Sequence, residues 1–292
     1  MPEAPCRLFV YLARESPVAV VLRRGPTDWA RLSLWHTDSD RFEHGQWLKG
    51  RVYERRSDLS ADGSLFAAFV RQSGGRDARR DTWIAVSRPP FFSALAVWFV
   101  GGTYHTGAFF PGHATLWLGF SPDTPPDIGH VPSWLSIAPA RDIAYIDRTG
   151  EWTERTVHFN RLIRDGWTLL ETEPYRTLWA RRHPSRPLAL HMMHSFENLQ
   201  VAGGRYVVDY SLWNETEGRE QGIGQATWAD WDQRGRLVVA RQGKLLWWPL
   251  ESGTLEEIAD FNGHEPDPQP APDAAGSWPA APRDRIPGRD AR

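Results

Sequence analysis

The sequence predicts an all-β fold, and three observations support this prediction. Apolar residues make up 41% of the 292 residues, and they fall in short runs rather than in long helical stretches. Many of these runs are rich in β-branched and aromatic residues and are bounded by turn-forming residues, as in 17–24, 114–120, 205–213 and 235–242. A unit of strand, turn and strand also recurs along the chain. Strands and long helices do not alternate, which disfavours a parallel α/β sheet.

The recurring unit is clearest where it begins with a tryptophan. Trp134, Trp179 and Trp228 each precede a turn-like stretch, with an apolar residue nine positions after the tryptophan. These tryptophans lie 45 and 49 residues apart, and Trp83, 51 residues earlier, fits less closely. The stretch 57–70 fits the unit without a tryptophan. A period near 45–50 residues, built of several short strands, is typical of a β-propeller, in which small antiparallel sheets pack around an axis.

The stretch LSADGSLFAAFV, residues 59–70, resembles the turn-and-strand unit of the TolB-like and WD40-like propeller families. This resemblance covers about a dozen residues and implies a propeller architecture, with no family function carried over. The Trp-Asp pair that ends WD40 units is missing at the expected places. Residues 6–262 give room for several such units, so we expect a β-propeller of about five or six blades. A distorted β-sandwich is the alternative.

The chain divides at about residue 262. Residues 1–262 form the expected propeller-like domain. Residues 263–292 contain seven prolines and almost no apolar residues, so they cannot bury enough surface to offset the entropy of ordering. We therefore expect a disordered, Pro-rich C-terminal tail. Within the domain, 153–164 is the best helix candidate, and 252–261 fits either a short helix or an outer strand.

The amino-acid composition limits the binding partners and the cellular compartment that we expect. The net charge is −2, so no overall positive field favours nucleic acid or an acidic membrane. Cys6 is the single cysteine, which fits a reducing compartment. The N-terminus lacks the form of a signal peptide, and no apolar run reaches the roughly 18 residues of a membrane helix. We expect a cytoplasmic protein without nucleic-acid or membrane partners. Its 32 arginines against two lysines indicate a GC-rich, bacterial genome.

The 16 tryptophans are several times ordinary usage. Packing between blades needs large, flat apolar side chains, and a tryptophan buries about 150–250 Å². We therefore expect most tryptophans in the core between blades; stacking platforms for sugars or bases are the alternative. Trp247 and Trp248 point to opposite sides if they lie on a strand, so both cannot line one pocket.

Motifs for covalent catalysis and metal binding are weak. The sequence has no Gly-x-Ser-x-Gly elbow and no Walker loop. The segment 35–45 is rich in His, Asp and Glu but lacks the pattern of a calcium loop. His191 and His194 would point to opposite faces of a strand, and nothing nearby completes a zinc site. We therefore expect neither a metal nor a cofactor.

Acid–base chemistry in a central funnel is the alternative that makes the protein an enzyme. Several glycoside hydrolases and lyases are propellers, with a pair of carboxylates roughly 5–10 Å apart in the funnel. The candidates near turns are Asp58, Asp142, Asp230 and Asp232, with Arg88 and Arg141 as binders of an acidic substrate. No spacing singles out a pair. The alternative function is thus a carbohydrate-active enzyme or a sugar binder with tryptophan platforms.

The stretch 88–120 is the most aromatic part of the chain, and its centre, 101–113, is too rich in glycine for a plain strand. It predicts an irregular loop with aromatic residues at its tip, as binding loops on rigid scaffolds are built. A core hairpin with a wide turn is the alternative. The candidate binding residues are Arg88, Trp98, Tyr104, His105, Phe109, Phe110 and His113. The sequence thus favours a non-catalytic scaffold that binds a protein partner through apolar anchors.

Overall fold

The structure, a computed structural model, describes residues 5–25, 28–75, 77–120, 123–138, 153–173, 175–197 and 205–281. These residues form five small sheets, arranged as a five-bladed β-propeller. They also contain one α-helix and three short 3-10 helices, Glu54–Arg56, Ala78–Arg80 and Asp273–Gly276. The prediction of an all-β propeller is confirmed, with five blades.

The first two blades come from the N-terminal part of the chain. Blade 1 consists of β1 (Arg7–Leu12), β2 (Val18–Arg24), β3 (Trp29–His36) and β4 (Arg41–Lys49), paired antiparallel in this order. Blade 2 consists of β5 (Arg51–Val52), β6 (Asp58–Leu59), β7 (Phe66–Arg71), β8 (Thr82–Ser87), β9 (Ala94–Phe99) and β12 (Ile128–Gly129). Both β5 and β6 pair with β7, and β12 joins the far edge beside β9.

The remaining blades follow, with a helix between them. Blade 3 consists of β10 (Ala108–Gly112), β11 (Thr115–Leu118) and β13 (Ser136–Ala138), the last two parallel. The predicted helix is present as α1 (Thr153–Arg164). Blade 4 consists of β14 (Thr168–Glu173), β15 (Arg176–Arg182), β16 (Leu188–Glu197), β17 (Arg205–Asn214) and β18 (Arg219–Gln225). Blade 5 consists of β19 (Trp228–Trp231), β20 (Leu237–Arg241), β21 (Lys244–Trp248) and β22 (Glu256–Asp260), so 252–261 contains an outer strand.

The apolar core is divided among the junctions between blades. Separate buried clusters join blades 1 and 2, blades 2 and 3, blades 4 and 5, and blades 5 and 1. Four fully buried tryptophans lie in these clusters: Trp35, Trp98, Trp179 and Trp231. Tryptophan therefore fills the space between blades, as its abundance predicted.

Between blades 3 and 4, helix α1 supplies the packing. On one side Val157 shares a buried cluster with Phe109 and Trp117 of blade 3. On the other side Phe159 packs edge-on against Trp179 of blade 4, with ring centroids 4.8 Å apart. The helix therefore acts as a wedge that completes the ring.

Side chains rather than a shared strand close the ring between blades 1 and 5. In the described ranges, each of these sheets is built from one end of the chain only. Among the bonds that cross the junction, Thr227 Oγ1 donates to Leu8 O (2.7 Å), Arg23 Nε donates to Phe261 O (2.8 Å), and Cys6 N donates to Asn262 Oδ1 (3.1 Å). Arg236 of blade 5 also forms an ion pair with Asp40 of blade 1 (2.8 Å). Ring closure therefore depends on long-range hydrogen bonds, ion pairs and the apolar cluster shared by blades 1 and 5.

The C-terminal segment, residues 263–281, runs across blades 1 and 2 to the region of blade 3. Side chains of the propeller hold its carbonyls: Arg23 donates to His264 O (3.0 Å), Gln46 donates to Gln269 O (3.1 Å), and Arg88 donates to Ala274 O (2.9 Å). Trp278 then packs against Trp134, with ring centroids 6.1 Å apart. The Pro-rich composition did not predict these contacts. Residues 282–292 lie outside the described residues, and disorder stays a prediction for them.

Replacing Trp278 with alanine should lower the free energy of unfolding by about 1–3 kcal/mol, because apolar area packed against Trp134 is lost. Urea unfolding of the full chain measures this. Tyr104→Ala, at an exposed side chain, is the control and should change stability by less than about 0.5 kcal/mol. Equal stability of the Trp278→Ala variant and the wild type would show that the segment does not pack on the propeller in solution.

Candidate functional site

A cavity of about 530 Å³ lies at the centre of the ring. Its walls come from blades 1, 2, 4 and 5 and from the C-terminal half of α1. The volume is typical of small-molecule sites, which are usually concave and carry a few convergent polar groups. Helix α1 thus narrows the central funnel, and the cavity is the space that remains.

A buried cluster of charges fixes the C-terminal end of α1. All five N–H groups of Arg164 are used: Nε and Nη2 donate to Asp165 (2.8 and 3.1 Å), Nη2 and Nη1 donate to Asp58, and Nη1 also donates to Phe110 O (2.8 Å). Asp58 is 1% exposed and accepts a further bond from Phe110 N (2.8 Å). The two carboxylates raise the pKa of Arg164, despite burial. This cluster ties α1 to blades 2 and 3.

Two further aspartates of the cavity wall lie at blade 5. Asp230 pairs with Arg181 and accepts bonds from Trp231 N (2.7 Å) and Trp167 Nε1 (3.3 Å). Burial raises the pKa of Asp230 to about 6, with the charge of Arg181 opposing this shift. Asp232 instead caps a turn, because its Oδ1 accepts the backbone N–H of Arg234 (2.9 Å).

Two neutral histidines lie deeper in the wall. The rings of His158 and His194 meet edge to face with centroids 5.9 Å apart, and Arg161 Nη2 lies 3.2 Å from His158 Nδ1. Burial holds both histidine pKa values well below 6.5, so both rings are neutral at pH 7. His191, three residues earlier on β16, instead stacks on Trp213 (6.1 Å), which confirms that it and His194 face opposite ways. In the described parts of the chain, no group of three or more potential ligands could hold a metal ion.

The structure places some of the predicted binding residues in the core and others at or near the surface. Trp98, Phe109 and Phe110 are buried in the core and cannot reach a surface partner, contrary to the prediction. The reason is that β10 is covered on both faces: Phe110 faces the cluster of blades 2 and 3, and Phe109 faces α1. The apolar character of 88–120 therefore reflects core packing on two sides.

The other four predicted residues are accessible or partly so. Tyr104 is 90% exposed, in the loop 101–107 that precedes β10. The carbonyl of His105 accepts a bond from Arg56 Nη1 (3.0 Å), and His113 pairs with Glu15 (2.9 Å). Arg88 holds the C-terminal segment rather than a substrate. Tyr104 is thus the aromatic candidate that a partner can reach.

Sequence reasoning placed some cavity residues correctly and missed others. Asp58, Asp230 and Asp232 line one cavity, whereas Asp142 and Arg141 lie outside the described residues. The contributions of α1 and of the residue that follows it were missed: His158, Arg161, Arg164 and Asp165. Their spacing of three and four residues places them near one face of a helix, and this was the available signal.

Comparison with known proteins gives a fold likeness only. No family model and no curated protein matches the sequence. Among solved structures, the chain is similar to an acylaminoacyl peptidase in complex with Z-Gly-Gly-Phe-chloromethyl ketone, with 11% identity and a TM-score of 0.37. The match covers 89% of this chain and 53% of that chain, so this chain spans about half the peptidase's length. A likeness this distant carries no argument about activity. The described residues contain no helix long and apolar enough to cross a membrane.

Replacing Asp58 with alanine should lower the free energy of unfolding by about 3–5 kcal/mol, because Arg164 is left buried with a missing counter-charge. Asp165→Ala is the matched control: Asp165 pairs with the same arginine but is partly exposed, so we expect a loss of about 1 kcal/mol. Urea denaturation of both variants measures the difference. Equal losses would mean that the Asp58 pair is not what fixes α1.

The raised pKa of Asp230 predicts a specific pH dependence. Folded protein keeps the Asp230 proton up to about pH 6, whereas an unfolded chain releases it near the ordinary value of 3.8. This group's contribution to stability is therefore present at low pH and is lost as the pH rises towards 6. Asp230→Asn removes the titration. The stability of wild type minus that of Asp230→Asn should fall by up to about 3 kcal/mol between pH 4 and 6. Unfolding curves across this range measure it, and a constant difference would contradict the raised pKa.

Proposed function

We propose that this protein is a non-catalytic scaffold that binds a protein partner, using the loop 101–107 on a rigid propeller. The observation that carries the proposal is Tyr104, an aromatic side chain that is 90% exposed in a loop whose backbone is fixed. Exposed aromatic residues on rigid supports are common anchors of protein interfaces, because they bury much area at a small entropic cost.

Arg56 fixes the loop. Its Nη1 donates to the carbonyls of both Thr103 and His105, on either side of Tyr104. Gly107 lies against the backbone of Arg56 at a φ of 111°, where a side chain would not fit. The Arg56 guanidinium also stacks over Tyr53 at 5.2 Å. Tyr104 is therefore presented without a large loss of loop entropy on binding.

The bonding of the cavity carboxylates supports binding over acid–base catalysis. Asp58 and Asp230 each accept hydrogen bonds from an arginine and from a backbone N–H. A general acid or base must exchange a proton with substrate, and these oxygens are engaged in holding the fold. We also propose a cytoplasmic location, supported by the single, buried cysteine Cys6.

A sugar binder or carbohydrate-active enzyme is the second candidate. One observation favours it: Asp58, Asp230 and Asp232 share a cavity with Trp167 and two further tryptophans, Trp228 and Trp231. Sugar platforms need an accessible aromatic face, whereas these three tryptophans are buried. The scaffold function is therefore the better supported of the two.

Tyr104→Ala should abolish capture of a stoichiometric partner and weaken the purified complex at least tenfold, because an anchor aromatic contributes about 2 kcal/mol or more. The tagged full chain is used as bait, eluted proteins are identified by mass spectrometry, and the purified partner is titrated by calorimetry. Phe109 is left intact because it is buried and its loss would disturb the fold.

Tyr175→Ala is the matched control, since Tyr175 is also an exposed tyrosine but lies beside the β14–β15 hairpin. A partner that binds wild type and Tyr175→Ala but not Tyr104→Ala supports the proposal. A partner that binds all three proteins equally, or no stoichiometric partner at all, counts against it.

A further inference from the structure

We propose that the central cavity binds a small organic acid, whose carboxylate or phosphate group is recognised by Arg161 inside the cavity and by the exposed Arg14 of its wall. This site lies apart from the loop 101–107 and is independent of the protein-binding function proposed above. Three observations lead to it: the charge balance of the wall, the bonding of Arg161 and the accessibility of Arg14.

The wall of the cavity is positive in a protein that is negative overall. Six arginines line the cavity: Arg14, Arg55, Arg161, Arg164, Arg181 and Arg182. Four aspartates oppose them: Asp58, Asp165, Asp230 and Asp232. The fully ionised wall would therefore carry an excess of two positive charges, whereas the whole chain carries −2. A wall with an excess of positive charge favours ligands of the opposite charge.

The aspartates do not neutralise these arginines evenly. Asp58 and Asp165 both accept bonds from Arg164. Asp230 pairs with Arg181, and Asp232 pairs with Arg236 of its own turn. Their negative charge is thus taken up locally, and it does not reach Arg161 or Arg14 at ion-pair distance.

Arg161 is a buried cation without a carboxylate partner in the described residues. It is 5% exposed, and its Nη1 donates to the carbonyls of Glu54 (3.0 Å) and Ser57. Its guanidinium stacks over the rings of Phe9 and Tyr11, at 5.1 and 5.0 Å. Burial of a charge without a counter-charge is costly, and an acid group placed against the remaining N–H groups would offset that cost.

Arg14 supplies a second positive charge two residues after β1, and this exposed residue lines the cavity. Its backbone N–H donates to Ala61 O (2.9 Å), which fixes the main chain. Its side chain makes no hydrogen bond or ion pair within the described ranges, so the guanidinium can turn towards an incoming anion. Because its side chain is exposed, we expect the replacement of Arg14 to cost little stability.

The rest of the wall suits the body of an organic acid. Leu162, Met192 and Val208 supply apolar surface, and the edge-to-face pair of His158 and His194 adds neutral hydrogen-bonding atoms. A cavity of about 530 Å³ admits a small molecule but not a folded partner. A ligand with one acid group and a compact apolar or hydroxylated body matches this lining.

The experiment titrates the full-length protein with three acids and two neutral counterparts, by calorimetry and by thermal melting at fixed ionic strength. The acids are benzoate, citrate and glucose 6-phosphate; the neutral probes are benzyl alcohol and glucose. We expect at least one acid to bind with one site per chain and to raise the melting temperature, and the neutral probes to bind at least tenfold more weakly. Benzoate against glucose 6-phosphate distinguishes a carboxylate from a phosphate group.

Single substitutions then test where on the protein the acid binds. Arg14→Gln should weaken acid binding about tenfold, the loss expected for one charge-assisted hydrogen bond. Arg161→Lys should weaken it further, and Arg14→Gln keeps the test valid if Arg161→Lys fails to fold. Arg176→Gln is the matched control, because Arg176 does not line the cavity and its exposed side chain pairs with Glu173 (3.1 Å). Tyr104→Ala should bind the acid as wild type does, which separates this site from the protein-binding loop.

The proposal is overturned if no acid binds at 10 mM (about the weakest affinity a site of this kind should show), if Arg14→Gln binds as tightly as Arg176→Gln, or if glucose binds and the acids do not. The last result would also restore the sugar-binding candidate.

Discussion

The fold depends on how the ring is completed where α1 separates blades 3 and 4. A propeller needs every gap between blades filled with apolar side chains, since a blade cannot bury both of its faces alone. Helix α1 fills this gap with Val157 and Phe159, and Arg164 helps to hold the helix in place. Its five N–H groups reach Asp58, Asp165 and the carbonyl of Phe110, so one guanidinium joins the helix to two blades. The desolvation of that charge is offset because every donor has a partner.

This arrangement also determines what the central cavity contains. Since α1 enters between blades, its last turns form part of the cavity wall, and they bring His158, Arg161 and Arg164 with them. Cations near the C-terminus of a helix are favoured by its dipole, so this end is a natural place for arginine. Of the carboxylates that suggest catalysis from sequence, Asp58 is the partner of Arg164. Asp58 therefore helps to fix α1 and so to complete the ring, although its position in a funnel resembles that of a catalytic residue.

The sequence predicts the repeated parts of this fold well, because their signals are local. Asp62-Gly63 and Asp232 to Gly235 form corresponding turns in blades 2 and 5, each with a glycine at positive φ, between β6 and β7 and between β19 and β20. The environment of the aromatic stretch 88–120 was harder to predict, because the same residues suit an exposed loop or a strand covered on both faces. Phe109 is buried because α1, some 50 residues later, lies over it, and no local pattern contains that information. The pair of Asp58 and Arg164 is separated by 106 residues and is invisible for the same reason.

Arg161 and Arg164 lie one turn apart on the same helix, and they differ in their bonding partners. Both are buried and both bond to backbone carbonyls, but only Arg164 has carboxylate partners. If Arg161 served the fold alone, its charge would be a net cost, because a neutral side chain of similar size would pack against Phe9 and Tyr11 without that desolvation. A ligand that brings the missing negative charge removes the cost only when it is bound. The stability of the ring and the occupancy of the cavity are then linked, since a ligand that binds only the folded ring stabilises it.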